Sequence, residues 1–337
     1  MKAPAIVHFM RAPAVEAFSI ESIAETIRSA VPGFRFSVHR NVPSRLSPWG
    51  ILIDLFRAGR VRGDVFHVTG DSGYIALALT GRRTILTIHD CSTFHRTRGV
   101  HRFMYWLLWL WLPARKARLV TVVSDSTKRD VLSITGVSPE KVRVIHNGIG
   151  RGFFAASDAD RWDGRRLPVL LQVGTKANKN VERLAEAIDG LPCQLVLVGS
   201  PMESQLSALT RYGVNFVVRR NLSESELIEA YMSCDLVTFV SLSEGFGLPI
   251  IEGQACGRPV VASNIEPHRE IAGQSACLVD PLDVKDIRAG IERVLADFEY
   301  RKELVERGRR NARRFTPEQM ALGYAAAYRE ILESAHG

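Results

Sequence analysis

The chain is poor in the features that mark stapled, metal-clustered or membrane-spanning proteins. Its five cysteines, Cys91, Cys193, Cys234, Cys256 and Cys277, are scattered without a single Cys-x-x-Cys pair. That spacing argues against zinc and against a disulfide framework, and it fits a reducing cytoplasm. No apolar run reaches the roughly 20 residues that a spanning helix needs. Met1-Lys2-Ala3-Pro4 leads straight into the short apolar stretch Ala5 to Met10, so no cleavable leader is expected. No Gly-x-Gly-x-x-Gly follows that stretch; Arg11-Ala-Pro-Ala-Val-Glu-Ala-Phe18 stands there instead, which speaks against a dinucleotide dehydrogenase. Internal repeats, low-complexity tracts and nucleic-acid-binding signatures are also missing, so nucleic acid is not an expected partner.

Acidic residues are scarce in one half only. Residues 1–160 carry 22 Lys and Arg against 12 Asp and Glu, while residues 161–337 carry 22 against 24. The whole net charge of +8 therefore arises in the first half. Such a field suits an acidic partner, such as an anionic membrane surface or a lipid-linked phosphate; arginines spread over solvated faces would give the same count. Within that half, Phe103 to Pro113 (FMYWLLWLWLP) is strongly apolar, with Arg102 before it and Arg115-Lys116 after. It reads as a buried core helix, with insertion into a bilayer surface as the competing reading.

What is present is an ordinary globular composition, 46% hydrophobic and 24% charged, over 337 residues, a length that suggests two domains. Short β-branched runs alternate with amphipathic stretches, the pattern of parallel α/β domains. Strands are expected at 5–10, 35–39, 64–68, 84–89, 119–123 and 142–145 in the first half. In the second half they are expected at 169–173, 194–198, 214–217, 235–240, 259–262 and 276–279. Helices are expected over Ser19 to Ala30 and Ser126 to Ile134, and after Asn180, Ser223, Pro249 and Asp283. Ser223 with Glu226 has the spacing of a capping box. Arg151 to Arg166 is polar and Gly-containing and reads as a linker. It contains Asp158-Ala-Asp160, an Asp-x-Asp triplet that reads as solvated loop rather than a metal site. In doubly wound folds, ligands bind beyond the C-terminal ends of the strands.

One stretch organises the rest. Ser241 to Ser263 reads SLSEGFGLPIIEGQACGRPVVAS, which predicts a glycine-rich turn, a short helix starting near Pro249, and a strand. A helix N-terminus there presents free N–H groups and a partial positive charge to an anion. Glu244 and Glu252 bracket the turn. Two carboxylates so placed can accept hydrogen bonds from sugar or ribose hydroxyls; a surface Glu and a first-turn Glu favouring the helix dipole would look the same.

These residues resemble a family. Glu244-Gly-Phe-Gly-Leu-Pro-Ile-Ile-Glu252, followed by Ala255, Gly257 and Pro259-Val-Val-Ala-Ser263, is similar to the Glu-x7-Glu signature of retaining GT-B glycosyltransferases of family 4. Leu171-Gln-Val-Gly-Thr175 with Lys179-Asn180, Thr121 to Ser126, Val142 to Gly148 and Leu278 to Pro281 resemble further family signposts in the family's order. The likeness covers about residues 60 to 335. It implies an α/β fold of GT-B type, two Rossmann-like doubly wound domains facing across a deep cleft. The expected boundaries are 1–155 for an acceptor-binding domain and 165–316 for a nucleotide-sugar-binding domain. A C-terminal helix over about 317–337 is expected to pack back on the first domain.

The activity implied is a metal-independent, retaining hexosyl transfer from a nucleotide-diphosphate sugar to a saccharide or lipid-linked saccharide, with no cofactor. The protein would be cytoplasmic, with peripheral attachment at the inner membrane face as an option, and would serve polysaccharide biosynthesis. The resemblance implies that Glu252 holds the ribose hydroxyls, that Glu244 lies near the donor sugar, and that Lys179 contacts the diphosphate. It gives the backbone of Gly245, Phe246, Gly247 and Leu248 to the donor, together with Gly174, Thr175 and Lys176. His89, with Asp90 beside it, would stand next to donor sugar and acceptor. The expected catalytic residues are thus His89, Glu244 and Lys179. Two positions depart from the family. Thr175 stands where many members carry Arg, with Lys176 as a substitute, and Pro13 to Phe18 replaces a Gly-rich loop. A sugar epimerase, a phosphorylase and a non-catalytic sugar-binding subunit are the competing readings.

Overall fold

The computed structural model describes residues 3–11, 18–41, 47–155, 164 and 166–336. Pro13 to Ala17 of the substituted loop, and Asp158 and Asp160 of the linker, lie outside the described residues. The linker's first residues, Arg151–Ala155, are not loop but a short helix whose Phe153 is buried.

The chain divides into two compact units, one of residues 1–148 with 317–337, the other of residues 149–316. The first unit holds a sheet of β1 (Ala5–Met10), β2 (Arg35–Arg40), β3 (Val65–Val68), β4 (Thr84–Ile88), β5 (Leu119–Val122) and β6 (Val142–Val144). Their spatial order is β2-β1-β3-β4-β5-β6, all neighbours parallel. The second unit holds β7 (Val169–Val173), β8 (Gln194–Val198), β9 (Phe216–Arg219), β10 (Leu236–Phe239), β11 (Val260–Ser263) and β12 (Cys277–Val279). Its order is β12-β11-β10-β7-β8-β9, again parallel throughout. Both units are doubly wound α/β folds, the class that the alternation of strands and helices predicts.

Position in the sheet explains strand composition. β3, β4 and β5 lie inside the sheet and are buried at every residue, so they read as apolar runs broken only by His67 in β3 and by threonines in β4 and β5. The edge strands β2 and β9 have no fully buried residue; exposed and half-buried positions alternate along β9 and are mixed along β2. That weak alternation made β9 hard to place, and it runs two residues later than the expected 214–217. Helix starts follow their caps. Ser124 accepts from the Thr127 amide at 3.1 Å, Ser223 and Glu226 form the capping box, and Asp283 accepts from the Lys285 and Asp286 amides.

The run Phe103 to Pro113 is neither wholly core nor wholly surface. It is spread over a helix Gly99–Tyr105, a π-helical segment Trp106–Trp111 and a helix Leu112–Lys116. Trp109, Leu110, Pro113 and Ala114 are buried, whereas Phe103 and Met104 are exposed. The expected core helix therefore holds for its C-terminal half alone.

The last helix, Pro317–His336, belongs to the first unit, and a polar chain ties it down. The Tyr328 hydroxyl sits 2.8 Å from His67 Nδ1 and 3.0 Å from His8 Nε2. His67 Nε2 lies 2.7 Å from Thr87 Oγ1, which lies 2.7 Å from Thr121 Oγ1. The chain crosses β3, β4 and β5 inside the sheet's cover. Burial pushes the His67 pKa down to about 3, so the ring is neutral and serves as donor and acceptor at once.

Candidate active site

β7 ends in Val173, and Gly174 follows with φ 93°, a conformation that disfavours any side chain. A Cβ on Gly174 would also meet Lys179 Cε at 2.8 Å, so the bare glycine is what gives the lysine its path. Thr175 is buried and fills the space beside Gly199, whose added Cβ would meet Thr175 Oγ1 at 2.7 Å. This position is thus a packing residue in the present chain. Lys176 is exposed next to it.

The turn Ala177–Lys179 then delivers Asn180 with φ 58°. Asparagine is among the few residues that tolerate this region. Its buried amide donates to the carbonyls of Val240, at 3.0 Å, and Pro281, at 2.7 Å, and so pins the loops that follow β10 and β12 to the one that follows β7. Lys179 is held one residue before that anchor. Its ammonium pairs with Glu244 Oε1 at 2.7 Å and lies 4.4 Å from the Phe239 ring centroid. Asn178 donates to the same Glu244 oxygen at 3.1 Å and to the Ser243 carbonyl at 2.8 Å. Two residues widely separated in sequence, Lys179 and Glu244, are therefore one unit.

The turn after Glu244 leads through Gly247, at φ 111°, into the helix Leu248–Ala255 with Pro249 in its first turn. The Phe246 ring faces inward, 5.7 Å from the Phe315 ring in edge geometry, so Phe246 offers backbone rather than ring to a ligand. Glu252 is buried one turn into the helix. Its Oε2 accepts from the Tyr231 hydroxyl at 2.6 Å, across from the helix Glu224–Ser233. Burial pushes its pKa up to about 7, against the Tyr231 hydrogen bond and the Lys179 charge, which both lower it.

His268, which sequence reasoning did not single out, lies beneath this turn. It is fully buried, its ring 5.0 Å from that of Phe239, and a Cβ on Gly247 would meet its Cδ2 at 3.2 Å. Burial pushes its pKa down to about 4, Glu244 opposing. Its signal in the sequence was only a histidine shortly after β11.

His89 belongs to the first unit, directly after β4, half-buried, with Nε2 3.3 Å from Thr69 Oγ1. Desolvation pushes it down to about 4 although Asp90 pulls the other way, so the imidazole is neutral near pH 7. Asp90 does not hydrogen-bond that ring; its Oδ1 accepts from the Ser92 amide at 2.8 Å and shapes the loop. Among the described residues, no group of three or more His, Cys, Asp or Glu could hold a metal ion, and no helix is long and apolar enough to cross a membrane.

Chemically, the second unit offers a cation, two carboxylates and a helix N-terminus at one turn, a set suited to a polyhydroxylated phosphoanion. Comparison with known proteins decides the family. Residues 9–151 match the sequence model described as Glycosyltransferase Family 4, and residues 164–311 that described as Glycosyl transferases group 1. The chain belongs to glycosyltransferase family 4.

The chain is 30% identical over 210 residues to the serotype-specific mannosyltransferase WbdA of Escherichia coli, covering 56% of this chain and 26% of that protein. It thus spans about a quarter of that relative's length. To the MMP alpha-(1->4)-mannosyltransferase of Mycolicibacterium hassiacum it is 28% identical over 303 residues, 82% of this chain and 72% of the relative. Among solved structures, a sucrose-phosphate synthase from Thermosynechococcus elongatus superposes with a TM-score of 0.80 at 18% identity, over 98% of this chain and 100% of that one. HepE of Anabaena, in complex with UDP and glucose, gives 0.78 at 16%, over 97% and 100%. Likeness at those identities speaks for the fold, and the fold is GT-B.

Proposed function

We propose that the transferase moves a mannosyl group from a nucleotide-diphosphate mannose to a saccharide or lipid-linked saccharide at the cytoplasmic face of a membrane. The anomeric configuration is retained and no metal ion or other cofactor takes part. The named activities of its curated relatives favour mannose. The observation that carries the reading is the Lys179–Glu244 pair, held by Asn178 and Asn180 at the glycine turn.

A diphosphate arriving at that turn competes with Glu244 for the Lys179 ammonium. Once Lys179 turns to phosphate, Glu244 is left to orient sugar hydroxyls and to favour positive charge at the anomeric carbon. Glu252, in its ionised form, accepts from ribose hydroxyls. As the bond from anomeric carbon to diphosphate breaks, negative charge grows on the leaving oxygen, where Lys179 and the N–H groups at the start of the helix Leu248–Ala255 stabilise it. The acceptor oxygen bonds to the same face of the sugar, and its proton passes to the departing diphosphate. His89, neutral, is assigned beside sugar and acceptor on the resemblance.

The test is release of nucleoside diphosphate from a panel of nucleotide-diphosphate sugars by the purified full chain. The mannose donor should be turned over fastest, at equal rates with and without EDTA. Turnover of glucose donors alone would refute the sugar, and loss in EDTA restored by magnesium or manganese would refute the metal-free step.

A further inference from the structure

The helix Pro48–Ala58 turns an apolar stripe outward. Trp49, Leu52, Ile53 and Phe56 recur at the spacing of one helical face, and all four are exposed, Trp49 at 76% and Phe56 at 63%. The opposite face carries Asp54, buried and accepting from the Tyr74 hydroxyl at 2.7 Å, with Ile51, Leu55 and Ala58 against the core. A helix apolar on both sides is unusual at a solvated surface, since a scattered exposed residue needs no explanation but a continuous stripe does.

A second exposed apolar group belongs to the same layer. The helix Gly99–Tyr105 exposes Val100, at 75%, Phe103 and Met104. The two segments share one floor: Trp109 and Leu110, which continue that helix, pack in the core cluster that contains Ala58, Tyr74 and Ile75. Both therefore cover the same side of the first unit's sheet.

Basic residues outnumber acids around these stripes, and the acids nearest the second segment are engaged, Asp71 accepting from the Tyr105 hydroxyl and Asp130 pairing with His95. Arg57, Arg60 and Arg62 follow the first stripe and are exposed, while the only acid inside that helix points inward. Between Asp90 and Asp125 there is no acidic residue, and six basic ones, at 96, 98, 102, 115, 116 and 118, are all exposed. Arginines also lie over aromatic rings, Arg60 on Phe56 at 3.3 Å and Arg102 on Phe94 at 4.2 Å. Apolar and aromatic side chains framed by an excess of cations match the boundary of an anionic bilayer, where rings enter the acyl edge and guanidinium groups meet lipid phosphates.

We infer that the stripe Trp49–Leu52–Ile53–Phe56, together with Val100, Phe103 and Met104, docks the first unit onto an anionic lipid surface. This stands apart from the transferase chemistry, since none of these residues is assigned to donor or acceptor.

The test is co-sedimentation of the full chain with phosphatidylcholine vesicles with and without phosphatidylglycerol. Binding should need the anionic lipid and fall as salt rises, because screening acts over about 8–10 Å near physiological ionic strength. Trp49→Gln/Phe56→Gln should weaken it at least about tenfold. Arg57→Gln/Arg60→Gln should weaken it roughly 25-fold, about fivefold for each charge near the surface. Circular dichroism and the thermal shift with nucleoside diphosphate should match wild type in both variants, so failure here is separable from failure of the donor site. Equal binding to neutral vesicles, or wild-type binding by the Trp49/Phe56 variant, would overturn the inference. So would a lipid-free dimer that this variant dissolves, since the face would then belong to a second copy.

Discussion

Glu252 carries the most informative single titration. Its carboxyl is pushed up to about 7 by burial, so the empty site holds a mixture of acid and carboxylate near neutral pH. Ribose hydroxyls donate, and a donor prefers the carboxylate. Nucleoside diphosphate affinity should therefore rise with pH through about 7 and level off above it, as calorimetry in a pH series would show. Phosphate ionises near the same range, with a pKa of about 6, so Glu252→Gln is the control: its profile should lose the step that belongs to the carboxyl. Removing the Tyr231 hydrogen bond, which lowers this pKa, should shift the midpoint upward in Tyr231→Phe. An unmoved midpoint would mean that the hydroxyl does not tune the carboxylate. Lys179→Ala should reduce turnover more than donor affinity, because the leaving group's charge grows toward the transition state. Equal losses in both would make it a ground-state binder only.

At the scale of elements, the helix Pro317–His336 is anchored by the Tyr328 hydroxyl, shared between two buried histidines, and by the ion pair of Glu330 with Arg143. Tyr328→Phe keeps the ring and removes that partner, which should destabilise the fold by about 1–3 kcal/mol. Urea unfolding should show a lower midpoint at unchanged slope; an unchanged midpoint would mean that His8 and His67 satisfy each other. Because His67 stays neutral in the fold, its contribution is complete above the unfolded pKa near 6.5. It is lost as pH falls below that value toward about 3. Elements of this kind were partly legible beforehand. Buried strands announced themselves by β-branched runs, and Ser223 with Glu226 announced its helix. The stripe on Pro48–Ala58 did not, since Trp49, Leu52, Ile53 and Phe56 share that helix with inward apolar residues and the pattern has no polar face to fix its orientation. The chain of Tyr328, His8, His67, Thr87 and Thr121 was invisible for another reason: its members come from five segments that only the fold brings together.

For the whole molecule, the family and the α/β class could be read because glycine, proline and glutamate are constrained locally at the Glu244–Glu252 turn. The partners of those glutamates could not be read, because Lys179 and Tyr231 reach them through folded loops and helices. Thr175 shows the same limit, since its packing against Gly199 is set by a neighbouring strand's loop. The uneven charge acquires a physical site through the exposed stripes of the first unit, while the second unit, nearly neutral, carries the glycine turn proposed to receive the donor. The central claim is that this turn binds a nucleoside diphosphate through Glu252 and Lys179. Isothermal titration of wild type and Glu252→Gln with UDP, GDP, ADP and dTDP tests it most directly. One of the four should bind wild type with clear preference, and the variant should bind that nucleotide at least about tenfold more weakly, the equivalent of losing a charge-assisted hydrogen bond. Binding of none of them, or equal affinity in a folded Glu252→Gln protein, would contradict the account.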